Sequence, residues 1–232
     1  RDRWLFERGL ASVDRVVVQN PAQQASCLKH YNRESTLIPG CYELPSSSNH
    51  TGGDLVLWVG TMRVNKRPEL FLEMARHFPE FRFVMIGGPG RDRGDDAFYE
   101  AIRQEAEPMP NVEFKGFLPL AEVETYFDRA KVFVNSSVYE GMPNTFLQAW
   151  ARAIPSVAFI DTGANLNGVP VYRVVERIEE AVTEMQRLLN DAGYWRQASS
   201  RCLEYFTRMH STEGVLAHYD RLLGELYCQD GA

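Results

Sequence analysis

The fold class read from the sequence is α/β: a parallel, doubly wound sheet with helices on both faces. Three observations predict it. Short apolar runs recur along the chain and are continuous rather than alternating, as strands covered on both faces are. The runs end at or near glycines or small polar residues. Between them lie segments whose apolar residues repeat at helical spacing, and such alternation implies parallel strands joined by crossover helices.

The runs follow in order. Residues 55–59 end at Gly60, residues 83–86 at Gly87-Gly88, and residues 112–114 near Gly116. Residues 132–134 end in Asn135-Ser136-Ser137, and residues 157–160 in Asp161. The intervening stripes are Leu70, Phe71, Met74, Ala75 and Phe78, with Pro68 suited to a first helical turn; Leu120, Val123, Phe127 and Ala130; Phe146, Leu147, Trp150 and Ala151; and Ile178, Ala181, Val182, Met185 with Leu188 or Leu189. Ahead of them, residues 5–11 read as helix, 13–20 as strand, 21–31 as helix and 36–39 as a short strand, with too little mass for a core of their own. Residues 45–53 have the composition of a linker. The expected organisation is therefore the remnant of a preceding domain over 1–44, a linker over 45–53, a complete domain over 54–210 and a C-terminal helix over 211–232. The chain starts at Arg1 rather than Met, in keeping with a piece of a longer protein.

Composition narrows the function classes. A net charge of −6 argues against a general nucleic-acid binder, so an anion site must be a local cluster. No apolar run reaches the length of a membrane span, and residues 1–7 lack the apolar region of a leader. Cys27, Cys41, Cys202 and Cys228 are scattered, so neither a disulfide nor a zinc site is expected and a reducing cytosol fits. The triplets at Asn49 and Asn135 match the glycosylation pattern and read as chance. Asp92, Asp95 and Asp96 form no Asp-x-Asp pair and read as a solvated acidic turn, so no metal site is expected. Residues 86–90 fail the dinucleotide fingerprint, because the third glycine position is Arg93. The histidines show no metal or catalytic pairing, and no Gly-x-Ser-x-Gly elbow occurs.

Ligands of doubly wound sheets bind beyond the carboxyl ends of the strands. Two strand exits carry suitable chemistry. After the first, Gly60 leads to Arg63 and Lys66, a planar two-pronged cation and a compact one suited to phosphate oxygens. After the fourth, Glu140 is followed by Gly141, Met142, Pro143, Asn144 and Thr145. Pro143 is expected at the first helical position, leaving the amides of Asn144 and Thr145 free to meet an anion, while Gly141 admits a ligand close to the backbone. Glu140 can accept from hydroxyl groups, and Gln148, about one turn into the helix, can reach another. The plainer reading is a solvated basic loop, a surface acid and a surface amide.

Together these segments resemble the retaining glycosyltransferases of the GT-B fold, in the large group called family 4 or glycosyl transferase group 1. Gly60 with Arg63 and Lys66 looks like that family's phosphate-binding pair. Gly87, and then Gly116, Phe117 and Leu118, look like its base-binding segment. Residues 140–151 look like its Glu-x7-Glu signature, residues 154–158 like the strand that follows, and residues 16–20 and 37–40 like the end of its first domain. The resemblance implies a Rossmann-like, nucleotide-sugar-binding domain, the C-terminal half of a GT-B fold. It implies that Arg63 and Lys66 neutralise the diphosphate, that Glu140 holds sugar hydroxyls, and that the amides near Met142, Pro143, Asn144 and Thr145 contact sugar and phosphate. The second signature Glu, the ribose ligand, is Gln148 here: it still accepts through its carbonyl but carries no charge.

The reaction implied is retaining transfer without a metal or other cofactor, from a nucleoside-diphosphate sugar to a glycan or lipid-linked acceptor in polysaccharide or glycoconjugate assembly. The implied location is the cytoplasm, with peripheral attachment to the inner face of the membrane compatible. The acceptor side belongs to the first domain, so the chain on its own is expected not to turn over. Two rivals share the diphosphate grip, a sugar-nucleotide epimerase of the same architecture and a non-enzymatic nucleotide-binding scaffold. The run from Glu140 to Gln148 favours the transferase over the first, and retention of both Arg63 and Lys66 favours it over the second.

Overall fold

The computed structural model describes residues 2–45 and 52–229, so most of the expected linker and the Asn49 triplet lie outside the described residues. The N-terminal segment holds α1 (Asp2–Ser12), β1 (Val17–Val18), α2 (Pro21–Tyr31) and β2 (Thr36–Leu37). The larger body begins with β3 (Leu55–Val59) and a single 3-10 turn over Val64–Lys66. It continues through α3 (Pro68–Arg76), β4 (Arg82–Ile86), α4 (Asp95–Ala106), β5 (Val112–Gly116), α5 (Leu120–Phe127), β6 (Ala130–Asn135), α6 (Asn144–Trp150) and β7 (Ser156–Ala158). A small hairpin, β8 (Asn165–Leu166) and β9 (Val169–Pro170), precedes β10 (Arg173–Val174), α7 (Ile178–Asn190), α8 (Ala192–Met209) and α9 (Thr212–Gln229).

Six strands form one wholly parallel sheet in the order β10-β7-β6-β3-β4-β5. The chain winds outward from β3 through β4 to β5, crosses back to β6, and winds the other way. This is the Rossmann-like, doubly wound order, and its direction reverses between β3 and β6. The pleat sends alternate residues to opposite faces. Leu55 and Leu57 join Phe133, Phe146 and Trp150 in one core, whereas Val56 and Trp58 join Phe71, Phe83 and Met85 in the other. Both faces of β3 are thus buried, which is why its sequence is an unbroken apolar run.

The shorter elements depart from expectation. The strand expected over 13–20 is only Val17–Val18, and that over 36–39 only Thr36–Leu37; they pair with each other in a separate two-stranded parallel sheet. Residues 157–160 leave the ladder after Ala158, where the Tyr172 hydroxyl donates to Ile160 O at 2.9 Å. Pro143 does not open α6 but precedes it in extended conformation (φ −64°, ψ 132°), its carbonyl accepting from Phe146 N at 3.0 Å. The N-terminal segment packs on the last helices: Ile38 is buried with Val215 and Leu222 of α9, and Tyr42 N donates to His210 O at 3.1 Å.

Candidate functional site

The loops after β3 and β6 meet at the point where the winding reverses. Lys66, at the end of the 3-10 turn, places Nζ 2.9 Å from Glu140 Oε1. The same carboxylate oxygen accepts from the Ser137 hydroxyl and from Asn135 Nδ2 at 3.3 Å. A cleft of about 370 Å³ opens here, with Gly60, Thr61, Lys66, Glu140, Asn144 and Thr145 in its lining. One carboxylate, one ammonium and the start of a short helix therefore face a single space at the switch point, where open α/β sheets bind ligands.

The loop after β6 is held from several sides by groups that sequence reasoning missed. Trp58 Nε1 donates to Ser136 Oγ at 2.9 Å, and that hydroxyl donates to Lys66 O at 2.6 Å. Arg67, stacked 4.8 Å above the Phe159 ring, donates to Ser136 O at 2.8 Å and to Ser137 O at 3.4 Å. Val138 N donates to Asn65 O at 2.8 Å. The two loops thus form one unit, and the sequence signal for it was a third cation, Arg67, directly before Pro68.

The structure does not bring Arg63 into the cleft lining. Its guanidinium lies 3.4 Å from both Asp92 and Asp95, so the turn read as solvated acid pairs with a proposed phosphate ligand. Gly90 makes this approach feasible, since a Cβ there would sit 1.8 Å from Asp95 Oδ2 and 2.4 Å from Arg63 Nε. The other predicted positions gather at the ends of β4 and β5. Gly87 N donates to Gly116 O at 2.9 Å, and Met62 N to Gly88 O at 2.9 Å. A Cβ on Gly87 would lie 1.7 Å from Gly60 O, so this crossing of strand exits requires glycine. Phe117 packs beside Gly88 with 76% of its surface exposed, while Leu118 packs on the core.

Gln148 is separated from Glu140 in environment. It is buried in α6, and its Nε2 donates to Glu124 Oε1 of α5 at 2.7 Å. Glu124 also accepts from Tyr42 Oη at 2.7 Å and pairs with Arg152, which in turn donates to Asp128 at 2.6 Å. Burial, and then the bond to Glu124, raise the Tyr42 pKa above its usual value. Met142 is half-buried against the core. A larger cavity of about 520 Å³ lies near the β10 edge, but it gathers none of the residues above; its buried Glu184 is taken by the Tyr194 hydroxyl at 2.6 Å. Cys202 is inert, because burial pushes its thiol up to about 12.

The pattern describing the family Glycosyl transferases group 1 matches residues 53–191, more than half of the chain. Among curated proteins, the chain is 29% identical over 105 residues to alpha-monoglucosyldiacylglycerol synthase of Acholeplasma laidlawii, covering 42% of this chain and 25% of that protein. It is 23% identical over 193 residues to D-inositol 3-phosphate glycosyltransferase of Mycobacterium leprae, covering 75% of this chain and 43% of that protein. The chain thus spans less than half the length of these relatives. Among solved structures, sucrose-phosphate synthase from Thermosynechococcus elongatus superposes with a TM-score of 0.79 at 19% identity, over 97% of this chain and 61% of that one. Anabaena HepE, solved with UDP and glucose, superposes with a TM-score of 0.72 at 12% identity, over 94% of this chain and 64% of that one.

Proposed function

We propose that this chain, which belongs to the glycosyl transferases of group 1, holds the nucleoside-diphosphate sugar of a glycosyl transfer in the cleft between β3 and β6. The observation that carries this reading is the meeting of Lys66 and Glu140, 2.9 Å apart, at the switch point of the sheet. Lys66 sits where a diphosphate would take its charge, and Arg63 joins it by leaving Asp92 and Asp95. Glu140, released from Lys66, accepts from hydroxyls of the sugar. The base lies toward Gly116, Phe117 and Leu118. Gln148 offers the ribose its carbonyl oxygen, because its amide is held by Glu124.

The chemistry we assign is transfer with retention. The bond from the anomeric carbon to the diphosphate breaks, and the leaving diphosphate is stabilised by fixed cations and backbone amides rather than by a general base on the donor side. We assign that stabilisation to protein cations, with no resident metal. The acceptor class assigned is a glycan or lipid-linked hydroxyl at the cytoplasmic side; among the described residues no helix is long and apolar enough to cross a membrane.

Calorimetric titration with UDP, GDP and ADP tests the reading. One nucleotide is expected to bind, and Arg63→Ala with Lys66→Ala to weaken it by at least about 100-fold, since charge-assisted contacts contribute about 1.5–3 kcal/mol each. A folded chain that binds none of the three, or binds one equally well without these cations, overturns it.

A further inference from the structure

Arg67 has a backbone conformation that its sequence context disfavours. It closes the 3-10 turn and precedes α3 with φ 45° and ψ 53°, in the left-handed region. Glycine enters that region without strain, whereas a residue with a Cβ does not. Pro68 follows, and a proline pushes the residue before it toward extended backbone. A long side chain kept at such a position points to a use.

Its contacts show what the use is. The guanidinium lies 4.8 Å from the centroid of the Phe159 ring, a stack that fixes its plane. Nε donates to Ser136 O at 2.8 Å, and Nη2 to Ser137 O at 3.4 Å. Both serines are buried, so their carbonyls need donors from the protein. The hydroxyls of the same two serines hold the site. Ser136 Oγ, which accepts from Trp58 Nε1, donates to Lys66 O at 2.6 Å, and Ser137 Oγ donates to Glu140 Oε1. One branch from Arg67 therefore ends on the backbone of Lys66, and the other on the carboxylate of Glu140. Lysine in its place would keep the charge but not the planar fork that serves two carbonyls at once.

A diphosphate that takes Lys66 opens the ion pair with Glu140, so the pair cannot hold the two loops at their spacing once the ligand is bound. We propose that Arg67 is a positioning residue. Through Ser136 and Ser137 it fixes Lys66 against Glu140 and the start of α6, and so pre-organises the cleft for a diphosphate that it does not touch. The inference rests on the donor-site reading above for the identity of the ligand.

Two variants of the whole chain test it. Arg67→Gly keeps the turn and removes the fork; Arg67→Lys keeps the charge and removes the fork. Calorimetry uses whichever of UDP, GDP and ADP binds the parent chain. Both variants are expected to weaken that diphosphate at least about tenfold, while Arg67→Gly melts within about 4 °C of the parent. In a Lys66→Ala background the further loss from Arg67→Gly should fall below about threefold, because the group it positions is gone. A second readout needs no ligand. The Lys66 ammonium, assigned by its disappearance in Lys66→Ala, should give a proton–nitrogen NMR resonance that shifts or broadens in both variants while the fold persists. Parent-like affinity in Arg67→Lys assigns the effect to charge alone and overturns the proposal. Additive losses in the cycle, or an unchanged ammonium resonance, overturn it as well. If Arg67→Gly melts early, Arg67→Lys and the ammonium resonance decide. A parent chain that binds no diphosphate overturns the donor-site reading, and the ammonium resonance then decides the positioning role by itself.

Discussion

Glu140 and Gln148 stand at the two ends of one short run, and the structure puts them to different uses. Glu140 sits on a loop, faces the cleft, and is paired with Lys66, a cation that a diphosphate would take over. Gln148 sits in α6, is 7% exposed, and gives its amide to Glu124, which Tyr42 and Arg152 also hold. Spacing brought both residues to the same end of the sheet. What separates them is how much of their hydrogen-bonding capacity is already consumed. A polar group facing open space with an exchangeable partner is available to a ligand. One whose amide is locked between two helices and the N-terminal segment fixes how those parts fit together and leaves a ligand only its carbonyl oxygen.

The widest break of this comparison is Arg152→Ala. The Arg152 side chain is 6% exposed and joins Glu124 to Asp128, while its Nη1 donates to Gln148 O at 3.3 Å. Removing it leaves Glu124 half-buried without its cation, at a cost of about 3 kcal/mol. For a chain of this size that is a fall of about 10 °C in melting temperature, read by calorimetry. A fall below about 2 °C rejects the seam as a structural device. Glu140→Gln is the contrast: little change in melting, but loss of the ion pair with Lys66 in the cleft.

Gln148→Glu is the next step down. It restores the acid that the family resemblance leads one to expect, yet it sets that acid against Glu124 and removes a donor. We expect about 1–2 kcal/mol of destabilisation, the range for a buried group losing its hydrogen bond. The partnered change Glu124→Gln, Gln148→Glu should recover most of it, and a double-mutant cycle measures the coupling. Simple additivity of the two changes would show that the residues do not interact.

What could be read in the sequence follows the same division. Strands β3, β4, β6 and β7 of the large sheet were legible because both faces are buried, so their apolar runs were continuous; β5, at one edge, showed only a short run before Gly116, and β10, at the other edge, is just Arg173-Val174 and was not read at all. The hairpin of β8 and β9 carries no such run: Asn165-Leu166 and Val169-Pro170 look like loop. Lys66 and Glu140 were legible as separate strand exits. Their contact was not, because it depends on the order of strands. The seam was not legible either, since Glu124 meets Gln148 and Arg152 across the α5–α6 packing, and no local pattern announces it.

Arg63 shows the same limit. Sequence spacing paired it with Lys66, but Gly90 lets Asp95 close on it, and Asp92 joins from the solvent side. The competition is testable. Asp95→Asn frees Arg63 for a diphosphate, and affinity should rise by about two- to fivefold, the scale of a partly exposed ion pair. Tightening beyond tenfold would mean that the acidic turn controls the site, and no change would mean that Arg63 does not reach the ligand.

The smallest expected effect lies at the far side of the seam, where His210 anchors the N-terminal segment. Its Nδ1 lies 2.7 Å from Gly40 O, so the ring must carry its proton there, while Nε2 is buried with no partner among the described residues. Burial among Trp150, Tyr205 and Phe206 lowers its pKa below the ordinary 6.5, against the bond to Gly40, which raises it. A base with a depressed folded pKa binds fewer protons folded than unfolded, so stability falls as pH drops below 6.5 and levels off only below the folded value. Melting curves between pH 7.5 and 5.5 should show that decline. In His210→Asn, whose amide can still donate to Gly40 O but does not titrate, this part of the decline should flatten. An equally steep profile in the variant would assign the acid sensitivity to other groups and leave His210 a packing residue, its neutral ring fixed by the segment it holds.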